Sequence, residues 1–148
     1  MDENIRETNH PIKEIIDTWG LIHNKTTEVL EKEFGKKKIT AVLQNEMKRL
    51  GRENADIEAV DASAIGNRIM QFEQYWGICG SVRKQSDDCF IREVTECPWS
   101  YFSPFACRIL GWYMAGFCEG MNSGYYYNLN KLIPEGDNSC EWQISQKT

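Results

Sequence analysis

A chain of 148 residues, of which 41% are hydrophobic, is long enough to bury one ordinary core and needs no second domain. A formal net charge of −5, with only short basic runs, argues against a nucleic-acid-binding surface. The amino terminus is polar and acidic, and no stretch of about 18 apolar residues occurs, so we expect neither an export signal nor a membrane span. The expectation is a cytoplasmic protein with a single domain over residues 1–148.

The first half of the chain has the apolar periodicity of helices. Apolar residues recur at spacings of three and four over residues 12–34, and Gly35 is a plausible stop. A second amphipathic segment covers 39–50 and is predicted to end at Gly51. A weaker pattern over 57–65 predicts a third helix.

From about residue 70, aromatic and β-branched residues alternate with turn-forming residues, as is typical of strands. Four such segments predict two hairpins, and a long apolar run between the hairpins predicts a buried helix. The first hairpin turns through short polar residues at 86–88, and Gly136 can supply a positive φ in the second turn. The strand segments are 70–79, 89–97, 125–133 and 140–145, and the apolar run is 105–121.

These elements together predict an α+β fold. N-terminal helices, within residues 1–67, are expected to pack on a four-stranded antiparallel sheet. Residues 68–148 supply the sheet as two hairpins, with the buried helix between them.

All six cysteines lie in the second half of the chain. Because no export signal is expected, we expect free thiols and not disulfides. None forms a C-x-x-C pair, so the spacing of zinc ribbons and of thioredoxin-like motifs is missing, and no metal or other cofactor is predicted. The cysteines are Cys79, Cys89, Cys97, Cys107, Cys118 and Cys140.

Cys97 is the candidate nucleophile. It follows a predicted strand and precedes a helix entry, where unpaired backbone N–H groups would stabilise a thiolate. The alternative is a small apolar residue packed under the edge of the sheet. The burial tendency of cysteine favours that alternative by about two to one.

The end of the apolar run brings three polar candidates together. Cys118 and Glu119 are adjacent, so a helix points them about 100° apart and at most one should serve a ligand. Apolar surroundings would raise the pKa of the Glu119 carboxyl and allow proton exchange near neutrality, whereas an exposed acid at the helix end is the equal alternative. Asn122 lies on the same face as Glu119, where it would either bond a ligand or cap the helix.

The Gly136-Asp137-x-x-Cys140 run is first a turn signature. Asp137 can bond the backbone beyond the bend, and Cys140 enters the last strand pointing inward. Aromatic residues in this half are numerous enough to line an apolar small-ligand pocket, although a core contains the same residues. These are Trp76, Trp99, Tyr101, Trp112, Tyr113, Tyr125 and Tyr127.

Three runs, Thr95-x-Cys97-Pro98, Gly116-Phe117-x-x-Gly120-x-Asn122 and Gly136-Asp137-x-x-Cys140, carry a family resemblance. Through them, residues 94–144 resemble the tail of the L-2-amino-thiazoline-4-carboxylic acid hydrolase family. The resemblance implies opening of a cyclic amidine ring to give N-carbamoyl-cysteine, with Cys97, Glu119 and Asp137 as the catalytic residues. The residues assigned to the substrate pocket are Trp76, Trp112, Tyr113, Cys118, Asn122, Tyr125 and Cys140.

The same tail also resembles the 4-vinyl reductase-type small-molecule-binding domain of phenol- and xylene-sensing activators. Such domains hold zinc around the Gly-Asp-x-x-Cys hairpin, but Leu129 and Leu132 occupy the positions expected for two of the ligands here. The alternative function is therefore a metal-free sensor or carrier of an aromatic ligand. A structural subunit of a larger assembly is a third reading, and self-association into a homo-oligomer is left open.

Overall fold

The computed structural model describes residues 10–100 and 102–148, which form four α-helices and a four-stranded antiparallel sheet. The predicted α+β class is thereby confirmed. In chain order, the elements are α1 His10–Phe34, α2 Lys36–Glu53, α3 Ala62–Tyr75, β1 Cys79–Gln85, β2 Cys89–Glu96, α4 Pro104–Met121, β3 Tyr125–Lys131, a 3₁₀ helix Ile133–Glu135 and β4 Cys140–Gln146.

The sheet has the strand order β1-β2-β4-β3, so the hairpins β1-β2 and β3-β4 lie side by side and join through β2 and β4. Alternate residues of these central strands face the helices. Phe90 lies opposite Ile144, and Arg92 lies opposite Trp142. The side chains with the least exposed surface, among them Phe90, Ile144 and Phe117, fill the space between the sheet and the helices.

Helices α3 and α4 contact the sheet, and α2 packs along α4. Gly51 and Gly116 make this second contact possible. A β-carbon on Gly51 would overlap the carbonyl oxygen of Tyr113, and one on Gly116 would overlap the carbonyl oxygen of Lys48. The prediction that Gly51 ends its helix is therefore wrong, because this glycine lies inside α2, where it permits close backbone approach.

The predicted strand over 70–79 is also wrong. Helix α3 continues to Tyr75, and its buried face includes Ile65, Ile69 and Glu73, which follow one another at helical spacing. The division predicted between residues 67 and 68 therefore falls inside this helix. The strand that forms the first hairpin with β2 is β1. It lies at the edge of the sheet, and all of its residues are exposed.

Helix ends and turns follow the local chemistry of the sequence. Asp61 begins α3 and accepts the backbone N–H of Ala64 at 2.7 Å, and Ser103 begins α4 and accepts that of Ala106 at 3.1 Å. Gly136 has a φ of 101°, as the turn signature predicts.

No helix in the described part of the chain has both the length and the apolarity needed to cross a bilayer.

Candidate functional site

Cys97 lies beyond the end of β2 and seven residues before α4 begins at Pro104. Burial of its half-buried side chain raises the pKa of the thiol to about 11, although a backbone hydrogen bond at Trp99 acts in the opposite direction. Burial therefore acts against the expected stabilisation of a thiolate, and the role of Cys97 as a nucleophile stays a prediction. At neutral pH Cys97 is a protonated, weakly nucleophilic thiol.

Glu119 lies near the other end of α4, far from Cys97. Its Oε2 accepts a hydrogen bond from Nη1 of Arg52 at 3.2 Å, and its side chain is 26% exposed. Cys107 lies on the same helix, close to Cys97 and Cys140. Burial is the largest cause of the raised pKa of the Cys107 thiol, and these two neighbouring cysteines raise it further. At a rise of about 1.5 Å per residue, Cys107 and Glu119 are about 18 Å apart along the helix axis.

Asp137 stabilises the turn that the sequence predicts. Its Oδ2 accepts the backbone N–H of Leu132 at 2.9 Å, and Sγ of Cys140 accepts the N–H of Ile133 at 3.3 Å. These contacts place Asp137 and Cys140 at the same end of the sheet as Cys97.

The structure thus gathers Cys97, Asp137 and Cys140 at one end of the sheet and places Glu119 at the other end of α4. The three residues expected to be catalytic do not converge on one point. Their catalytic role stays a prediction.

Three residues assigned to the substrate pocket are instead packed in the core or hydrogen-bonded to the backbone. Cys118 is fully buried in the core, and burial raises the pKa of its thiol to about 12. Asn122 ends α4, donates through Nδ2 to the carbonyl oxygen of Ala59 at 2.8 Å, and accepts the N–H of Gly124 at 2.9 Å. Tyr125 is buried, and its hydroxyl donates to the carbonyl oxygen of Asp87 at 2.9 Å.

The aromatic residues do not line a single chamber. Trp76 is 50% exposed and packs edge-on against Trp99, with ring centroids 5.2 Å apart. Tyr113 stacks on Phe117 in the core at 6.3 Å. Tyr101, which was expected to line the pocket, lies outside the described residues.

A surface groove of about 200 Å³ runs between α2, α4 and β3, and we refer to it as the α4 groove. Aromatic and aliphatic walls are supplied by Trp112, Tyr127 and Leu129, and small residues of α4 leave the space open. Gly111 is one of these, since a β-carbon there would lie 3.1 Å from Cδ2 of Leu129. The groove is lined by Gln44, Lys48, Arg108, Gly111, Trp112, Ala115, Tyr127, Asn128 and Leu129.

The polar part of the α4 groove includes two cations. Arg108 donates to Oε1 of Glu135 through Nε at 2.9 Å and through Nη2 at 2.6 Å, which fixes its guanidinium. Lys48 is half-buried, and within the described chain no carboxylate lies within ion-pair distance of its ammonium group. Burial raises the pKa of the Tyr127 hydroxyl well above its ordinary range, and the neighbouring Glu73 is the next largest cause.

Sequence reasoning missed a buried polar cluster under the sheet. Nε of Arg92 donates to Oε2 of Glu73 at 2.9 Å, and Nε1 of Trp142 donates to Oε1 of the same carboxylate at 2.7 Å. Both charged side chains are only 9% exposed. The alternation of buried and less buried residues along β2 could have indicated this cluster, because Arg92 lies on the same face of the strand as the buried residues Phe90 and Val94.

No group of three or more histidine, cysteine, aspartate or glutamate side chains within 10–100 and 102–148 has an arrangement that could hold a metal ion. The groove residues themselves offer nitrogen and amide groups, which suit an organic ligand better than a hard cation.

Comparison of the sequence with protein-family models and with curated proteins finds no match. Solved structures do share the fold. A trafficking protein particle complex subunit 3 from Naegleria fowleri, covalently bound to palmitic acid, aligns with a TM-score of 0.62 at 14% identity, over 92% of this chain and 97% of that one. The phenol-responsive sensory domain of the transcription activator PoxR, with phenol, aligns with a TM-score of 0.54 at 10% identity, over 88% of this chain and 74% of that one. At these identities the likeness establishes the fold alone.

Proposed function

We propose that this chain is a non-catalytic small-molecule-binding domain, a sensor or carrier, and that its ligand occupies the α4 groove. The observation that carries the proposal is a groove that combines two aromatic side chains, a small-residue helix face and a largely polar lining. Two proteins with the same fold add support, since one is described with phenol and the other with covalently bound palmitic acid.

The size of the groove restricts the ligand. Pockets for drug-sized molecules have volumes of roughly 300–1,000 Å³. The α4 groove, at about 200 Å³, therefore suits a molecule built on a single ring. Trp112 and Tyr127 offer aromatic surface, and packing between aromatic rings adds about 0.5–1.5 kcal/mol beyond the area that it buries.

A thermal-shift screen with single-ring aromatic compounds tests the proposal. A ligand present at 100 times its dissociation constant stabilises the folded protein by about 2.7 kcal/mol, so a binder raises the melting temperature. Trp112→Ala should abolish the shift. Tyr75→Ala, which removes an aromatic side chain that is 87% exposed at the end of α3, is the control and should leave the shift unchanged. The absence of any shift across the panel would contradict the proposal.

Self-association through α1 is a second part of the proposal. Five exposed residues of this helix follow one another at spacings of four, three, four and three, and the pattern is nearly symmetric about Ile22. A two-fold axis through Ile22 would let the same stripe on a second copy cover it. The five residues are Ile15, Trp19, Ile22, Thr26 and Val29.

Light scattering on the purified protein tests this part. We expect a dimer that Ile22→Glu converts to a monomer, because the new charge would be buried at the centre of the interface. Asn45→Glu adds the same charge at an exposed position of α2 and should leave the dimer intact. A wild-type monomer would contradict self-association.

Ring opening of a cyclic amidine, which the hydrolase resemblance implies, stays a prediction. Incubation with L-2-amino-thiazoline-4-carboxylate should give N-carbamoyl-cysteine if that activity exists. Cys97→Ser, Glu119→Gln and Asp137→Asn should then each reduce the rate of product formation. Unchanged substrate in the presence of folded protein would remove hydrolysis from consideration.

A further inference from the structure

The charge of the α4 groove is opposite in sign to that of the whole chain. The chain has a formal net charge of −5, but the charged residues that line the groove among those described, Lys48 and Arg108, are both cations. They come from two different helices, and both line the groove because α2 packs against α4. The groove therefore concentrates positive charge on an otherwise acidic protein.

Arg108 and Lys48 differ in whether a carboxylate of the protein already neutralises their charge. The guanidinium of Arg108 shares its charge with Glu135, whose carboxylate does not line the groove. Lys48 has no such carboxylate partner among the described residues. The Lys48 side chain, on a half-buried residue and without a carboxylate partner among the described residues, is the feature of this groove that a ligand anion would satisfy best.

We infer that the ligand of the α4 groove is an aromatic carboxylate, with its ring against Trp112 and Tyr127 and its carboxylate near Lys48 and Arg108. This inference rests on the proposed function, because it assumes that the groove is the ligand site. The neutral polar groups of Gln44 and Asn128 complete the rim and can donate hydrogen bonds to carboxylate oxygens.

Isothermal titration with a matched pair of ligands separates the inference from the proposed function. Benzoate and benzamide have nearly the same shape, but only benzoate is charged. We expect benzoate to bind at least about tenfold more tightly, since a charge-assisted hydrogen bond discriminates by that order. Added salt should weaken benzoate binding and leave benzamide binding nearly unchanged.

Equal affinity for the two ligands would overturn the inference and leave the proposed function standing. If neither benzoate nor benzamide bound, the inference would be overturned. If the wider panel of single-ring compounds also failed to bind, the proposed function would be overturned as well.

Lys48→Met tests the assignment of the charge to one residue. The substitution keeps the apolar stem and removes the ammonium group, so benzoate affinity should drop about tenfold while benzamide affinity stays the same. Lys36→Met, at an exposed position at the start of α2, is the control and should change neither affinity. Retained benzoate affinity in Lys48→Met, or an equal loss for both ligands, would overturn the inference.

Discussion

The thiols of several buried and half-buried cysteines have pKa values that are set by burial more than by charged neighbours. Three thiols illustrate this, because burial is the largest cause of the raised pKa in each of them. The pKa of Cys97 is about 11, and that of Cys107 and Cys118 is about 12. Cys79, by contrast, is exposed at the edge of the sheet. Chemical modification of thiols at neutral pH should therefore begin at Cys79.

Alkaline pH should destabilise the fold through these thiols. An unfolded chain releases thiol protons near pH 9.0, whereas the folded chain holds those of Cys97 until about pH 11 and those of Cys107 until about pH 12. The stabilisation is thus complete below pH 9 and is lost as the pH rises through these folded-state values. Urea unfolding measured across this range should show a shallower decline in Cys97→Ala/Cys107→Ala than in the wild type, and identical slopes would contradict the account.

The buried pair of Glu73 and Arg92 predicts a large cost for removing one partner. Arg92→Met leaves the Glu73 carboxylate buried without its cation, and loss of one member of such a pair costs about 3–5 kcal/mol. Chemical denaturation measures this loss. Arg83→Met, which removes the exposed partner of Glu93, is the control and should leave the denaturation midpoint nearly unchanged.

Glu73→Met combined with Arg92→Met should recover part of the stability, because no unpaired charge then stays buried. A double variant as unstable as Arg92→Met alone would contradict the account.

At the level of elements, the contact between α2 and α4 determines the shape of the candidate site. Gly51 and Gly116 bring the two backbones together, and Lys48 and Arg108 reach the same groove as a result. Because the overlap at each glycine would be with backbone atoms, a flexible side chain cannot relieve it.

Gly116→Ala should therefore destabilise the protein by about 1–3 kcal/mol, in spite of the better helix propensity of alanine. Gly111→Ala, on the same helix, meets only the end of the Leu129 side chain at 3.1 Å and should be nearly neutral. Thermal unfolding of the two variants measures the difference. Similar melting temperatures would show that α2 and α4 can separate without cost.

An element could be predicted from the sequence where its pattern of apolar residues matched the way that it is buried in the fold. Helix α4 was predicted almost to the residue, because a continuous apolar run between Pro104 and Asn122 has one interpretation. Residues 70–79 were misassigned to a strand because the adjacent aromatic residues Tyr75 and Trp76 are typical of strands. In the structure, the buried residues Ile69 and Glu73 lie on one face of a helix. The all-exposed strand β1 has no apolar alternation to detect.

At the level of the whole molecule, the α4 groove could not be predicted from the sequence. Its lining comes from three separate segments, 44–48, 108–115 and 127–129, and no motif connects them. Trp112 and Tyr127 were both noted among aromatic residues that could line a pocket, but the cations beside them were not. Sequence motifs instead indicated the turn at Asp137 and the helix end at Glu119, which the fold places apart.

The central claim is that the α4 groove is where this domain holds its ligand, and amide NMR spectra recorded during a titration test it most directly. Benzoate should shift the backbone amide signals of Gly111, Trp112, Ala115 and Asn128, with smaller changes in α1 and β1. Shifts concentrated around Cys97 and Cys140 would contradict the claim, and so would an unchanged spectrum with every compound of the single-ring panel.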